Sequence, residues 1–287
     1  MKECTISIET PKKILKGAGI PNSVFIPLKT YKIHIKLNNP TDNSKLCSFT
    51  ATLGNGIRYL KNMQYSGPDN LLHEAVKIIE PNPKTENNNV IIFANNFILS
   101  PNSENIISLD VALYDKYTEN GIENSGEKIS HESKLHFNGH LINDNFVHSF
   151  STVSETYDYE LSVKCEDDKI DLGGSTKFYI YCETGQYDMA RSVYVRCILD
   201  EDLEFIADSS NIEPKNVYTF DKKTVLKWDI GSLQPSEIKR IGFKVSLKNK
   251  DYLKSEDFFN IKFNSNCINN STYTQCPSSC QHNLIIK

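Results

Sequence analysis

The stretch LKWDIGSLQPSEIKRIGFKVSLK, residues 226–248, holds the only tryptophan of the chain, and its reading decides the fold. Leu226, Trp228 and Ile230 alternate with polar residues, as do Ile241, Phe243, Val245 and Leu247, which is the two-residue period of strands with one buried face. Between the runs, Gly231 supplies backbone freedom, while Pro235 fixes its own φ and has no N–H to give a ladder. Gly-Ser-Leu-Gln-Pro-Ser therefore reads as a connection that leaves one strand and enters the next. Trp228 is expected to anchor a core between two sheets, and no catalytic side chain stands at the tip of the connection.

The same period recurs along the chain, in Tyr31 to Leu37, Cys47 to Leu53, Ile107 to Leu113, Phe178 to Cys182 and Val193 to Leu199. Short alternating runs separated by Asn, Asp, Gly, Pro and Ser predict an all-β sandwich or barrel. One helix is expected, about two turns over NLLHEAVKI at 70–78.

The runs also repeat. LCSFTATLGNGIRYL at 46–60 matches SVYVRCILDEDLEF at 192–205, and FILSPNSENIISLDVAL at 97–113 matches GSLQPSEIKRIGFKVSL at 231–247. The separation falls from 146 residues, Phe49 to Val195, to 134, Leu99 to Leu233, so the first copy carries extra residues in a long loop at 66–89. LHFNGHLIND at 135–144 answers IKFNSNCINN at 261–270. Two tandem immunoglobulin-like β-sandwich domains are expected, 1–152 and 153–287, joined near 149–160.

The order ETGQYDMARSVYVRCILDEDLEFI, VLKWDIGSLQPSEIKRIGFKVSL, FFNIKFNSNC resembles the conserved repeat domain of bacterial and archaeal surface proteins. Trp228, Ile230, Gly231, Leu233 and Pro235 fit its Trp-x-(Ile/Val)-Gly-x-Leu-x-Pro-Gly connection. Ser236 replaces the glycine, Glu201 stands where proline is common, and the first copy keeps only Leu99 and Pro101. The resemblance implies an immunoglobulin-like fold with a structural or adhesive role at a cell surface.

Composition excludes several classes. A hydrophobic share of 39% with 10% aromatics is enough to build cores, and a net charge of −4 without a basic run leaves no footprint for nucleic acid. No apolar run approaches the roughly 20 residues that cross a bilayer, so membrane insertion is not expected. MKECTISIETPKKILKG has no apolar stretch after its first lysine, so a Sec-type signal peptide is not expected either. Phosphate-loop, zinc-protease, nucleophile-elbow and dinucleotide motifs are missing, so no catalytic or cofactor-binding residue is assigned and the chain is read as no enzyme. His131, His136 and His140 are read as groups at a strand end, with Asn138 and Gly139 turning the chain. The carboxylates of EDDKIDLGG and LDEDLEF are read as turn and surface groups.

The eight cysteines fall into two sets. Cys47, Cys182 and Cys197 are in phase with core positions and Cys165 follows Leu161 and Val163, so these four are expected to be core thiols. Cys4, Cys267, Cys276 and Cys280 lie at the termini or in NSNCINNSTYTQCPSSCQHN. A local disulfide, a zinc site using His282, and cross-links between chains are all open to that second set; cross-linking is the reading adopted, and no metal is assigned. Thiols without an export signal resemble the cysteine-rich proteins of bacterial spore coats and of the exosporium basal layer of anaerobic spore formers. That resemblance implies a homo-oligomer that assembles with other surface-layer proteins on the spore. The alternative is an adhesin-like cell-surface module presenting the 66–89 loop to a ligand.

Overall fold

The computed structural model describes all residues except Met1, 17–29, 82–88, 114–115, 120–121, 129–133, 145, 186–187, 249–251 and 271–272. Two compact units, Met1–Tyr157 and Asp158–Lys287, divide the chain. Both are β-sandwiches, and the one helix among the described residues is six residues long.

The first unit runs β1 (Thr5–Glu9), β2 (Lys13–Leu15), β3 (Tyr31–Asn39), β4 (Lys45–Thr52), β5 (Ile57–Ser66), α1 (Asn70–Ala75), β6 (Lys77–Ile79), β7 (Ile91–Leu99), β8 (Ser103–Leu113), β9 (Lys116–Glu119), β10 (Ile122–Lys128), β11 (Lys134–Asn143) and β12 (Phe146–Tyr157). One sheet has the order β1-β3-β8-β5 and the other β2-β12-β11-β4-β7-β6, while β9 and β10 form a separate ribbon.

The second unit runs β13 (Tyr159–Cys165), β14 (Lys169–Ile170), β15 (Ser175–Thr184), β16 (Ala190–Leu199), β17 (Leu203–Phe205), β18 (Asn216–Phe220), β19 (Lys223–Leu233), β20 (Ile238–Leu247), β21 (Phe258–Asn269) and β22 (Ser278–Ile286). Its sheets, β13-β15-β20-β17 and β14-β22-β21-β16-β19-β18, reproduce those of the first unit strand for strand. The sequence repeat is thus a repeat of topology. The division falls after Tyr157 because β12 stays paired with β11 through Glu155 and with β2 through Tyr157, so residues 152 and 153 lie inside an unbroken strand.

Alternation places the cores. Ile33, Ile35, Leu37, Phe49, Ala51, Ile107, Leu109 and Val111 are buried in the first unit, and Phe178, Ile180, Val195, Cys197, Ile241, Phe243 and Val245 in the second. In both units the register shifts along one matching pair of strands, β4 with β7 and β16 with β19. Cys47 pairs with Phe97 but Phe49 with Ala94, and Val193 pairs with Gly231 but Val195 with Trp228. A bulge at the same place in both copies inserts an extra residue, so that Ala94 and Trp228 face inward and so do Leu99 and Leu233. Asn96, at φ 54°, and Gly231, at φ 80°, supply the backbone conformation. Gly231 therefore lies within β19 and does not open the connection, which is confined to the residues after Leu233.

The Leu-x-Pro connection is held by a buried polar side chain in each copy. The Asn39 amide donates to the carbonyls of Leu99 and Ser100 at 3.1 and 2.9 Å. At the matching place, the Thr184 hydroxyl donates to the Gln234 carbonyl at 2.6 Å and accepts from Glu237 N at 3.0 Å. Backbone carbonyls that leave a sheet near the core need such donors.

Two features differ from the sequence reading. The 66–89 segment is more than an inserted loop, because it holds α1 and also β6, the counterpart of β18. A second addition, the β9–β10 ribbon, follows β8 and has no counterpart after β20 among the described residues.

Candidate functional site

Of the histidines noted in the sequence, His131 lies outside the described residues. His136 is exposed and His140 half-buried on β11, which runs straight through Asn138 and Gly139, so the expected turn is not there. Glycine stands at 139 because a Cβ would come within 2.5 Å of both the Phe150 ring and the Thr50 carbonyl oxygen. The glycine serves close packing.

The cysteines sort differently from the sequence reading. No disulfide joins any two of the eight cysteines. Cys47 is buried in the first core and Cys182 and Cys197 in the second, where Trp228 is also wholly buried, its indole N–H donating to the Ile212 carbonyl at 2.8 Å. Cys4 and Cys267, assigned to exposed termini, are buried too. Cys4 leads into β1 and lies against the thiol of Cys47, and Cys267 is an inward-facing position of β21. Buried this way, neither can reach another chain without local unfolding. Cys165 is the opposite correction: β13 ends there, so its thiol is half-exposed at the margin of the sandwich. Of the proposed cross-linking set, Cys276 and Cys280 remain partly accessible.

Burial raises the Cys47 thiol to about 12 and the Cys182 thiol to about 11, while Cys197 is pushed well up by the same cause. Cys276 goes the other way, since the neighbouring Cys267 thiol donates to its sulfur and favours the thiolate. The Cys276 N–H also donates to the Cys267 carbonyl at 2.9 Å, next to the isolated bridge between Ile268 and Gln275.

The start of the 66–89 segment is tied down. Asp69 is almost fully buried and accepts from Ser100 N–H, the Ser100 hydroxyl at 2.5 Å and the Asn105 amide at 2.7 Å, and Leu72 of α1 is buried in the core. Residues 82–88 lie outside the described residues.

The outward faces carry the other features. On the six-stranded sheet of the first unit, Leu46 faces Ile98 across β4 and β7, and Ile142 faces Val147 across β11 and β12. Their exposures are 56, 55, 39 and 55%, respectively, and Ile142 stands opposite Ser48, the next outward residue after Leu46. These four make one apolar patch. On the matching sheet of the second unit, a groove of about 390 Å³ is floored by Ile198 and Val225 and walled by Tyr218 and Phe220 of the edge strand β18, with Arg196, Lys223, Lys262 and one carboxylate, Asp221, around it. Phe220 is 72% exposed.

Three groups that sequence reading kept apart also converge. One donor atom each from Cys165, Asp168 and His282 lie within 4.8 Å of one another, where the end of β13 and its link to β14 meet β22. No local spacing signals this, because His282 comes from the last strand.

Neither a protein-family model nor a curated protein matches the sequence. Among solved structures, the chain is similar to red sea bream transglutaminase, at TM-score 0.38 and 8% identity, over 100% of this chain and 32% of that one. It is similar to the N-terminal domain of a Streptococcus gordonii adhesin, at TM-score 0.34 and 9% identity, over 90% of this chain and 60% of that one. It is similar also to a type I cohesin from Pseudobacteroides cellulosolvens, at TM-score 0.33 and 8% identity, over 46% of this chain and 93% of that one. The chain thus spans less than two thirds of the transglutaminase and of the adhesin domain, and likenesses this slight carry no argument about activity.

Proposed function

We propose that the chain is a structural, non-enzymatic building block of a bacterial spore or cell surface layer, which associates with copies of itself through the outer faces and edges of its sheets. The observation that carries this reading is the patch of Leu46, Ile98, Ile142 and Val147. Isolated exposed apolar residues are ordinary, whereas four on adjoining strands form a surface that water disfavours and another protein surface can cover. The edge strand β18 adds unpaired backbone groups and the exposed side chains of Val217, Tyr218 and Phe220, features that favour pairing with a further strand. The surface location rests on the resemblances carried by the Trp228 to Pro235 connection and by the cysteine content. Cross-links, where they form, engage Cys276 and Cys280.

The test is the mass of the native protein in solution across a concentration series, followed by electron microscopy. Wild type is expected to form multimers in the presence of reductant, and Leu46→Lys with Ile142→Lys to remain monomeric and folded. A wild-type chain that stays monomeric at all concentrations excludes the proposal. A second reading, a binding module, is favoured by the groove beside β18, whose apolar floor and basic rim suit an acidic ligand with an apolar portion. Loss of ligand capture in Phe220→Ser, with oligomer size unchanged, distinguishes the two.

A further inference from the structure

We propose that Cys165, Asp168 and His282 form a zinc site at the margin of the second sandwich, with a solvent molecule as fourth ligand. The three residues come from separate places, the last residue of β13, the link to β14, and β22. β13 belongs to the four-stranded sheet and β22 to the six-stranded sheet, so a shared ion ties one sheet to the other where the sandwich is open.

The geometry asks little of the chain. Donors around tetrahedral zinc sit about 2.0–2.3 Å from the metal, hence roughly 3.3–3.8 Å apart, and the three donors here already fall within 4.8 Å. Asp168 Oδ1 is 2.9 Å from His282 Nε2, yet Nε2 is closed to solvent and makes no hydrogen bond, so the carboxylate lies off the line of the ring N–H. Two groups gathered around a common point have that relation. His282 is held by the edge-on Phe178 ring, with centroids 5.4 Å apart. Cys165 Sγ is held beside Thr176 Oγ1 at 3.3 Å, while its S–H donates to the Asp167 carbonyl at 3.2 Å, a bond given up when zinc takes the place of the proton. Such supports fix ligands before a metal arrives. Asp168, 67% exposed, brings its carboxylate to His282 from the solvent side. The donor set selects the ion, since a thiolate with an imidazole suits zinc and is poor for calcium or magnesium.

Zinc itself is the probe, added to the full-length chain under reducing conditions and measured against a chromogenic chelator and by thermal melting. The expected result is one zinc bound tightly per chain with a raised melting temperature. Cobalt in its place is expected to give the visible bands of a tetrahedral site and a thiolate charge-transfer band. Cys165→Ser and His282→Asn should each lower affinity at least tenfold and abolish the charge-transfer band or the tetrahedral bands. Cys276→Ser, which alters a thiol outside the cluster, should change nothing. Circular dichroism establishes that each variant is folded. Absence of stoichiometric zinc on wild type overturns the site, as does full zinc affinity in Cys165→Ser, which would leave only a His282–Asp168 ion pair beside a bystander thiol.

Discussion

Trp228 stands directly opposite Val195, and the matching pair of the first unit, Ala94 and Phe49, has the large and small partners exchanged. The two copies fill the same core position from neighbouring strands. Trp228→Ala should therefore cost about 3–5 kcal/mol, the scale of a large buried aromatic removed. Combining it with Val195→Phe imports the solution of the first unit and should recover part of that loss. Denaturant unfolding of wild type and of the single and double variants measures both.

Asp69 joins the 66–89 segment to Ser100 and Asn105 through a buried carboxylate. Asp69→Ala leaves several donors without an acceptor and should cost about 2–4 kcal/mol. Proteolysis should then cut within 66–89 faster than in wild type, and an unchanged cleavage rate would refute the tether.

Gly139 and Gly231 both lie in strands but for different reasons. Gly231 has open space and a left-handed φ, so Gly231→Ala should cost about 1 kcal/mol of backbone strain. Gly139→Ala pushes a methyl group into Phe150 and the Thr50 carbonyl oxygen, and should cost more, about 1–3 kcal/mol. Stability curves of the two variants rank the effects.

Alkaline pH should unfold the chain through its core thiols. Cys47 and Cys182 are raised to about 12 and about 11 in the folded state, against an ordinary value of 9.0. The unfolded chain therefore releases these protons first as pH rises. Their contribution is fully present below pH 9 and is lost as pH climbs through the folded values, on the order of a few kcal/mol for the pair. Denaturant midpoints from pH 8 to 11 should fall, and should fall less in Cys47→Ala with Cys182→Ala.

Each unit has its own core, so 1–157 and 158–287 expressed separately should unfold cooperatively. Far-ultraviolet circular dichroism and melting curves check this, and a disordered half would show that one unit depends on the other.

Alternation and repetition in the sequence disclose the strands, because both are local properties of the chain. Ile241 to Leu247 and Phe178 to Cys182 carry their burial in their spacing. The bulges are less visible, since a slip of one residue looks like noise until Leu99 and Leu233 are seen to face inward with Ala94 and Trp228. The β9–β10 ribbon leaves no apolar period, because KYTE and IENSGEK are almost entirely polar. Cys4 and Cys267 were misplaced for a physical reason: nearness to a terminus or a polar segment does not measure burial, and both are packed inside a sandwich. The convergence of Cys165 and Asp168 with His282 depends on β14 pairing with β22, a long-range contact that no motif announces.

The parallel pairs at the sandwich margins bear on force. In the first unit β2, near the start, runs parallel to the closing strand β12, with Lys16 N–H donating to Tyr157 and Glu155 N–H to Lys12. In the second, β14 lies parallel to β22, and Lys287 N–H donates to Ile170. Tension applied from opposite ends of a unit drags such strands past each other, so their hydrogen bonds resist together; a hairpin pulled from its open end loses them one at a time. Each unit should consequently resist stretching, with a lifetime under load set by the barrier to shearing that short patch.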